Sequence, residues 1–391
     1  MKEKKDILEK NQKILIIQTA FLGDLILSTG FFQKIRNLFP DATIHVIVNK
    51  GTESILENHP GVDLVLSFDK KEIKKTVLGF FDFLQKIRSE NYDLVFSPHF
   101  SHRSSIISFA TRAQYRFGYS NSGFGFLHTH AIFRQKLSLH ETQKLNQLAE
   151  LARNVLSKNS LADRNSNSLE KEASDLKKTN GLSEAIKPQM FFTKDEEKNF
   201  QKFRDLQKLK GEYIVIAPSS LWETKRLPEE QFVKLVELLF VQKTLKLVFA
   251  GSKADQPLVD RIFQLLKEAF GEKKFTKLAP QFLNLAGSTD LRTLALLVKY
   301  AKGIISNDSS PIHFASCFNT PILAFFGATI PAFGYGPVSQ KQFISEVIGL
   351  DCRPCGIHGG KVCPERHFRC MKDQDLEKAQ REFIKLLKEK S

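Results

Sequence analysis

The amino-acid sequence predicts two α/β domains of the doubly wound type, one in each half of the chain. In both halves, short runs rich in β-branched residues alternate with amphipathic helical stretches, a pattern typical of parallel β-α units. A polar segment without aromatic residues separates the halves, and 391 residues suffice for two buried cores. Because open α/β sheets bind ligands at the carboxyl ends of their strands, we expect the two domains to face each other across a binding cleft.

The N-terminal domain is predicted to span residues 1–157. Its first strand is the apolar run KILIIQT, which is followed by a loop and by an amphipathic helix that ends before Pro40. The same alternation then continues along the chain. Strands are predicted at 13–19, 43–48, 64–68 and 93–97, and helices at 25–39, 53–58 and 73–88.

The C-terminal domain is predicted to span residues 188–391, after a linker or insertion at 158–187 that is rich in Ser, Asn and Lys. The alternation of strands and helices resumes after this linker. Strands are predicted at 213–217, 246–250, 282–285, 303–306 and 321–326, and helices at 228–241, 257–270, 290–300, 311–318 and 375–390.

The chain is strongly basic, with 58 Lys and Arg against 43 Asp and Glu and a formal net charge of +15. This excess favours a phosphate-rich partner and leaves nucleic acid, an anionic membrane and a phosphorylated substrate open. The opening MKEKKDILEKNQK lacks the order of a secretory signal, and Asp24 interrupts the apolar stretch 14–32. We therefore expect a cytoplasmic protein without a membrane span.

The segment 306–313 places hydroxyl groups between a predicted strand and a predicted helix. Free backbone N–H groups at a helix N-terminus bind phosphate, and Pro311 suits the first helical position. The alternative is that Asp308 or Ser309 only caps the helix. The candidate phosphate-binding residues are Asp308, Ser309, Ser310 and His313.

Two further loops follow strands of the same half. In 218–228, Lys225 is a compact point charge suited to a diphosphate, and Arg226 is either a second contact or a surface residue. In the next loop, Gly251 and Asp255 could approach a ribose, unless Asp255 is a helix N-cap. The remaining candidates for donor binding are Ser219, Ser220 and Thr224.

The loop 18–24 of the N-terminal half carries Gly23 and Asp24 at the start of a helix. Asp24 is the natural candidate for a general base. We expect the helix macrodipole to keep its carboxylate ionised, which would also make it a weaker base. A simple capping role is the competing interpretation.

These residues together resemble the glycosyltransferase family that contains the ADP-heptose:lipopolysaccharide heptosyltransferases. The resemblance covers both halves of the chain, and the combination of motifs is more specific than any one of them. It rests on Gly23-Asp24, on the loop with Lys225-Arg226-Leu227-Pro228, on Asp308-Ser309-Ser310-Pro311-Ile312-His313-Phe314-Ala315 and on Phe326-Gly327-Ala328-Thr329.

The resemblance implies a GT-B fold, with the sugar donor in the C-terminal half, the acceptor in the N-terminal half, and inversion without a bound metal. It implies that Asp24 is the general base, that Lys225 contacts the diphosphate and that 308–313 is the donor loop. Metal independence also agrees with the sequence, because the one Asp-X-Asp motif, 373–375, lies in the charged C-terminal segment.

The stretch from Leu94 to His140 contains no acidic residue but many basic and aromatic ones. This composition predicts an anion-binding surface. Single-stranded nucleic acid could stack on the aromatic residues of 97–136, whereas the resemblance implies a phosphorylated, lipid-linked oligosaccharide acceptor. A basic surface over an aromatic core is the third interpretation. The candidate acceptor-binding residues are Gly23, Arg103, Arg112, Arg116 and Arg134.

Four of the five cysteines are clustered near the C-terminus, with His358 and His367 among them. The cluster either holds a structural zinc ion or consists of reduced thiols that pack, because disulfides rarely persist in a reducing cytoplasm. The fifth, Cys317, is predicted to lie in the core. The candidate metal ligands are Cys352, Cys355, Cys363 and Cys370.

The combined expectation is an inverting, metal-independent transfer of heptose from ADP-heptose to the lipopolysaccharide inner core, with no cofactor required for catalysis. The resemblance implies a lipid-linked acceptor and hence contact with the inner face of the cytoplasmic membrane. Two alternatives remain. One is a nucleotide-sugar 2-epimerase of GT-B-like fold. The other is a module that binds an anion, and nucleic acid is the less expected of its ligands.

Overall fold

The chain divides into two units, residues 1–191 and 192–391. The computed structural model describes residues 11–70, 77–161, 184–240 and 245–388. Among these residues, no helix is both long enough and apolar enough to cross a bilayer.

The described part of the N-terminal unit contains a six-stranded parallel sheet in the order β3-β2-β1-β4-β5-β6. This is the strand order of a doubly wound nucleotide-binding fold, in which the chain changes direction between β1 and β4. The strands are β1 (Lys13–Gln18), β2 (Thr43–Asn49), β3 (Leu64–Phe68), β4 (Leu94–Phe96), β5 (Tyr115–Tyr119) and β6 (His130–Ile132). The helices are α1 (Leu22–Leu38), α2 (Val77–Ser89), α3 (His102–Ala110) and α4 (Glu141–Leu161).

Continuous apolar runs explain why this sheet lies inside the unit. The residues Ile14 to Ile17 of β1 are fully buried, as are Leu94 to Phe96 of β4. A strand that is buried on both faces needs apolar side chains at every position, which is typical of parallel sheets covered by helices. Helix α1 covers one face and packs against α4.

The described part of the C-terminal unit repeats this topology, with the strand order β12-β11-β10-β7-β8-β9 and parallel pairing throughout. Its direction changes between β7 and β10. The strands are β7 (Tyr213–Ala217), β8 (Lys246–Phe249), β9 (Phe282–Asn284), β10 (Gly303–Asn307), β11 (Ile322–Phe326) and β12 (Gln342–Glu346). The helices are α5 (Lys194–Leu206), α6 (Glu229–Leu239), α7 (Gln256–Phe270), α8 (Glu272–Leu278), α9 (Leu291–Lys299), α10 (Pro311–Phe318), α11 (Arg369–Lys372) and α12 (Leu376–Lys388).

The core of the C-terminal unit includes Ile216 and Phe249 of the sheet and Phe232 of α6, all fully buried. The C-terminal helix α12 packs against α6 and β12, with Phe383 fully buried in the same core. The strongly amphipathic pattern of α12 therefore completes this unit.

Every strand predicted from the sequence is present, and the two doubly wound sheets confirm the predicted fold class. Residues 53–56 form a 3-10 turn instead of a helix, and the predicted helix 73–88 is described only from Val77 onward. The predicted ends at 241 and at 389–390 also lie outside the described residues.

The boundary between the units differs from the predicted one. Helix α4 continues to Leu161, four residues into the predicted linker 158–187, and residues 162–183 lie outside the described part of the chain. The segment after them packs on the N-terminal unit, because the Gln189 N–H donates to Thr29 Oγ1 at 2.8 Å and the rings of Phe191 and His59 are 5.1 Å apart. The C-terminal unit therefore begins at residue 192 and not at 188.

Candidate functional site

Asp24 lies in the first turn of α1, where the chain leaves the sheet at the β1–β4 direction change. Gly23 precedes it in the same turn. The Asp24 carboxylate accepts hydrogen bonds from its own N–H and from that of Phe21, so it caps the helix as one interpretation predicted. It is nevertheless partly exposed at the edge where open α/β sheets bind ligands.

The helix terminus does not dominate the charge state of Asp24, in contrast to the expectation that it keeps the carboxylate ionised. Burial raises the pKa of Asp24 from 3.8 to about 7, and the negative charge of Glu141 raises it further, while Arg134 and the two backbone N–H groups lower it. Loss of hydration is the largest of these effects and outweighs the helix terminus. A carboxylate with a pKa near neutrality is a stronger base than an ordinary aspartate.

Arg134, Lys144 and Glu141 form an ion-pair cluster, and the charges of Glu141 and Arg134 act on Asp24. Arg134 Nη2 lies 2.5 Å from Glu141 Oε2, and Lys144 Nζ lies 3.6 Å from the same oxygen. Glu141 and Lys144 are buried, and burial lowers the pKa of Lys144. Neither Glu141 nor Lys144 was predicted from the sequence, because the basic stretch was taken to end at His140. The clue in the sequence is Glu141 itself, an acidic residue directly after a long basic stretch and in the first turn of a helix.

His99 follows β4 and links the two loops at this direction change. Its Nδ1 lies 3.0 Å from the hydroxyls of Thr19 and Ser104. Burial and the positive charges of Lys70, Arg103 and Arg134 lower the pKa of His99 to about 4. The same edge is therefore positively polarised, as an anionic acceptor requires.

The structure does not bring the four predicted acceptor arginines together. Arg103 begins α3 after the carboxyl end of β4, and Arg134 follows the carboxyl end of β6. Arg112 follows α3 and Arg116 is the second residue of β5, so both lie at the opposite, amino end of the sheet. Parallel strands separate residues that are close in sequence, because each crossover helix carries the chain from one sheet edge to the other.

The Arg116 side chain stabilises the loops on either side of β5. Its guanidinium donates to the carbonyl of Leu127 at 3.1 Å and to that of Ala113 at 2.6 Å. Arg112 is exposed, with a left-handed backbone conformation at φ 57°. The positions of Arg112 and Arg116 argue against their predicted contact with the acceptor. Acceptor binding by Arg103 and Arg134 stays a prediction.

In the C-terminal unit, Lys225 and Asp308 join the two loops at the β7–β10 direction change. Lys225 Nζ lies 2.6 Å from Asp308 Oδ2, and both side chains are largely buried. Thr329 Oγ1 donates to the same carboxylate oxygen at 2.6 Å. Because an ammonium group has three donors, Lys225 retains capacity for an anionic ligand while Asp308 orients it.

Asn307, at the end of β10, holds both ends of the Lys225 loop by hydrogen bonds. Its amide donates to the carbonyl of Pro218 at 2.7 Å and accepts from the Leu227 N–H at 3.0 Å. The side chain is fully buried. Asn307 belongs to the 306–313 segment, in which only its neighbours were predicted to bind phosphate.

Asp255 makes internal contacts in this structure. One carboxylate oxygen accepts from Ser219 Oγ, and the other accepts from the Ser252 N–H at 2.8 Å and its hydroxyl at 2.7 Å. Asp255 stands at the N-cap position of α7 but makes no side-chain cap hydrogen bond there; its carboxylate instead closes a capping box with Ser252 around the 3-10 turn Lys253–Asp255. Contact with a ribose stays a prediction. A Cβ on Gly251 would lie 2.9 Å from Asp255 Cβ, so this position requires glycine.

Thr224 and Ser220 are both buried. Thr224 Oγ1 exchanges hydrogen bonds with Gly360, accepting from its N–H at 2.7 Å and donating to its carbonyl at 3.1 Å. The Ser220 carbonyl accepts from Arg226 Nε at 2.7 Å. Thr224 therefore holds the neighbouring 359–361 segment, which argues against its predicted contact with a donor.

Helix α10 begins directly after the Asp308 loop, with Pro311 at its first position as predicted. Ser309 and Ser310 are partly exposed at its N-terminus, and Ser309 Oγ lies 3.3 Å from Ser306 Oγ. His313 is buried in the first turn. Ser309, Ser310 and His313, which were predicted to bind the sugar donor, therefore lie at one helix N-terminus next to the Asp308 loop.

The four clustered cysteines are free thiols. Cys352 Sγ lies 3.8 Å from His367 Nε2, and burial together with the other three thiols raises the pKa of Cys370 to about 11. Within the described ranges, no three His, Cys, Asp or Glu side chains are placed to hold a metal ion. Of the four, Cys370 is buried and Cys355 is exposed, and both the structural zinc ion and the packed thiols stay predictions.

The Asp-X-Asp motif at 373–375 is used within the fold. Asp373 pairs with Arg369 at 2.8 Å, and Asp375 accepts from the Lys378 N–H at 2.9 Å. Gln374 is buried and donates to the carbonyl of Cys370 at 2.8 Å. The two carboxylates of the motif are therefore engaged, that of Asp373 by Arg369 and that of Asp375 by a backbone N–H in the first turn of α12.

Comparison with known proteins agrees with these features. The family model described as glycosyltransferase family 9 (heptosyltransferase) matches residues 80–361. Lipooligosaccharide heptosyltransferase 2 of Haemophilus influenzae is 25% identical over 343 residues, which are 86% of this chain and 88% of that protein. The enzyme of the same name from Campylobacter jejuni is 34% identical over 169 residues, which are 43% of this chain and only 49% of that protein.

Among solved structures, the Escherichia coli ADP-heptose LPS heptosyltransferase II aligns over 96% of this chain and 98% of its own, with a TM-score of 0.69 and 20% identity. This likeness confirms the predicted GT-B fold class of two Rossmann-like units. The family match covers most of the chain and includes both loops of the Lys225–Asp308 pair. The chain therefore belongs to glycosyltransferase family 9 (heptosyltransferase) and is a glycosyltransferase.

Proposed function

We propose that this enzyme transfers a heptose from ADP-heptose to the inner core of a lipopolysaccharide, with inversion and without a metal ion. The observation that carries the proposal is the Lys225–Asp308 pair at the direction change of a nucleotide-binding fold in a chain of this family. The relatives are named as lipooligosaccharide and lipopolysaccharide heptosyltransferases, and the solved structure is named for ADP-heptose.

Asp24 is proposed as the general base. The acceptor hydroxyl oxygen attacks the anomeric carbon of the heptose as the bond from that carbon to the diphosphate oxygen breaks. Asp24 takes the hydroxyl proton, and ADP leaves with the electron pair of the broken bond. Attack opposite the leaving group inverts the anomeric centre. The pKa of about 7 suits this role, because the base is then half ionised near neutral pH and strong enough to accept the proton.

The diphosphate is proposed to bind beside Lys225. Its ammonium group would neutralise the charge that grows on the leaving oxygen, and the N-terminus of α10 with Ser309 and Ser310 would supply further donors. Asp308 holds Lys225 in place, so this charge is oriented before the substrate arrives. Asp255 remains the proposed contact of the ribose, and Ser219, which donates to Asp255, remains a candidate for donor binding.

The acceptor is proposed to be a phosphorylated, lipid-linked oligosaccharide. Arg103 and Arg134 lie at the carboxyl edge that carries Asp24, and their charges reach His99 there. A guanidinium binds phosphate through two parallel hydrogen bonds. A lipid-linked acceptor places the reaction at the cytoplasmic face of the inner membrane, and the chemistry above needs no cofactor.

The proposal is tested by incubating the enzyme with heptose-deficient lipopolysaccharide and one nucleotide sugar at a time, in buffer with EDTA. Mass spectrometry of the lipid is expected to show addition of one heptose from ADP-heptose, and NMR should show the inverted anomeric configuration. Lys225→Ala should lower the rate, whereas Lys253→Ala, which removes an exposed cation from the next loop, should not. Conversion of the nucleotide sugar to an epimer without acceptor would instead support the 2-epimerase alternative.

A further inference from the structure

One surface of the N-terminal unit exposes four large apolar side chains between residues 124 and 137. The exposed fraction is 80% for Phe126, 64% for Phe133, 52% for Leu137 and 43% for Phe124. Scattered exposed apolar residues are ordinary, but several of them on two adjoining loops mark an interaction site. We call these four residues the apolar patch.

Two adjacent loops carry the apolar patch, and a pair of hydrogen bonds holds them together. Asn121 Nδ2 donates to the carbonyl of Arg134 at 3.0 Å, and the Arg134 N–H donates to Asn121 Oδ1 at 2.9 Å. In the first loop, the rings of Phe124 and Phe126 are 6.0 Å apart. The patch is therefore a defined part of the fold at the outer edge of the sheet, where β6 has β5 as its neighbour.

The backbone keeps the first loop in a costly conformation. Phe124 has a left-handed backbone with φ 59°, which is strained for an aromatic residue. A Cβ on Gly125 would lie 2.2 Å from the carbonyl oxygen of Ser120, so the turn closes tightly on itself. The turn Gly125–Leu127 also packs against α3. This strain persists in a loop that leaves a phenyl ring in solvent, which points to a function for the exposed ring.

The surroundings of the patch are basic. No acidic residue occurs from Leu94 to His140, while Lys136 lies within the second loop and is exposed. Arg103, on the first turn of α3, is also exposed, and the neighbouring ring of His102 is 5.1 Å from that of Phe124. The partner must therefore offer negative charge next to an apolar interior.

We propose that the apolar patch docks the enzyme on an anionic lipid bilayer. The phenyl rings insert at the level of the headgroups, where aromatic side chains are favoured, and Lys136 and Arg103 contact the headgroup phosphates. This inference rests on the proposed function, because it delivers the enzyme to a lipid-linked acceptor. A bilayer matches both the apolar area and the charge.

Sedimentation with vesicles tests this proposal on the full chain. The wild-type protein should bind vesicles that contain phosphatidylglycerol and bind poorly to pure phosphatidylcholine. The double variant Phe126→Ser/Phe133→Ser should weaken the binding at least about tenfold, because each ring contributes the free energy of its transfer from water into the membrane. Leu206→Ser, which alters an equally exposed residue of the C-terminal unit, should have no effect, and Phe126→Trp should retain binding.

Equal vesicle binding by the double variant would overturn the proposal. So would a loss, in that variant, of single-stranded RNA binding or of self-association while its vesicle binding stays intact. Only the second result would assign the patch to a different partner.

Transfer assays with two acceptors separate this proposal from the proposed function. With a delipidated, water-soluble core oligosaccharide, the double variant should transfer heptose as fast as wild type. With the acceptor embedded in anionic vesicles, it should be slower by the same factor that reduces its binding. If wild type transfers to neither acceptor, the proposed function fails, and the vesicle-binding result still decides the role of the patch.

Discussion

At the scale of single residues, the account depends on the environment of Asp24. Its pKa of about 7 arises first from burial and then from the charge of Glu141, against the opposing effect of Arg134. A base must be deprotonated to act, so the rate should rise with pH through this pKa and level off above it. The carboxylate of Glu141 is thus a positioning and tuning group that acts through Asp24 and Arg134.

The variant Glu141→Gln tests this coupling. It removes a negative charge and frees Arg134 from its ion pair, and both effects lower the pKa of Asp24. The acidic limb of the pH–rate profile should therefore move to lower pH, so that the rate at pH 6 becomes a larger fraction of the plateau. Kinetics from pH 5 to pH 9, with a folded state verified by circular dichroism, measure the shift.

Glu150→Gln is the matched control, because Glu150 lies on the same helix and pairs with Lys34 at the surface. Its profile should coincide with that of wild type. An unchanged acidic limb in Glu141→Gln would show that Glu141 does not set the pKa of the base.

At the scale of secondary-structure elements, the two ends of the N-terminal sheet have different roles. Arg103 lies at the carboxyl end with Asp24, and Arg112 lies at the amino end. The change Arg103→Asn should raise the KM for a phosphorylated acceptor by about tenfold, the effect of one lost charge-assisted hydrogen bond. Arg112→Asn should leave it unchanged, since Asn tolerates the left-handed backbone there. Equal effects of the two changes would contradict this division of the sheet.

The C-terminal sheet offers a similar test through Asn307, which ties β10 to the Lys225 loop. The change Asn307→Ala strands the Pro218 carbonyl and the Leu227 N–H, which should lower the free energy of unfolding by about 3 kcal/mol. Asn307→Asp keeps an acceptor for the Leu227 N–H but sets a buried carboxylate oxygen against the Pro218 carbonyl, so it should lose at least as much. Urea denaturation measures both, and titration of ADP should show weaker binding in the alanine variant. A loss below about 0.5 kcal/mol would contradict the structural role.

The elements also show what sequence reasoning can reach. The β-rich runs and helical periodicity predicted every strand of the N-terminal sheet as far as β4, because each of these segments is an apolar run, and β1, β2 and β4 are largely buried. Beyond Ser97, Arg116 and Gly118 interrupt β5, and the three residues of β6 are partly exposed at the sheet edge, so no continuous apolar run predicts them. The helix α4 was likewise unassigned. This gap is the reason Arg112 and Arg116 were grouped with Arg103.

The site was predictable where a motif lies at a strand end. Lys225 and the 308–313 loop were found because they follow β7 and β10, and the parallel topology brings these two strands together. Glu141 and the tie formed by Asn307 were missed, because their roles depend on contacts across the fold. The pKa of Asp24 was misjudged for the same reason, since the sequence does not reveal burial.

At the scale of the whole molecule, acid should destabilise the N-terminal unit. The Gly61 N–H donates to His59 Nδ1 at 3.0 Å, which requires a neutral ring, and burial lowers the pKa of His59 to about 4. The unfolded chain, with a histidine pKa of 6.5, therefore binds the proton first as the pH falls. Stability should be complete above pH 6.5 and should decline between pH 6.5 and about 4.

His59 alone should account for about 3 kcal/mol of this decline. Denaturant unfolding at pH 7 and pH 4.5 measures it, and His59→Gln should reduce the difference between the two conditions. A difference as large in the variant as in wild type would assign the effect to other groups, such as His45, His99 and His128, whose pKa values are also lowered.

The central claim is that Asp24 is the base of an acceptor-dependent heptose transfer. The most direct measurement is ADP release from ADP-heptose by wild type and Asp24→Asn, with and without heptose-deficient lipopolysaccharide, together with the donor Kd of both proteins. We predict that Asp24→Asn binds the donor as wild type does, while its acceptor-dependent release falls by about 10²–10⁴-fold. Release at the wild-type rate by Asp24→Asn would contradict the account.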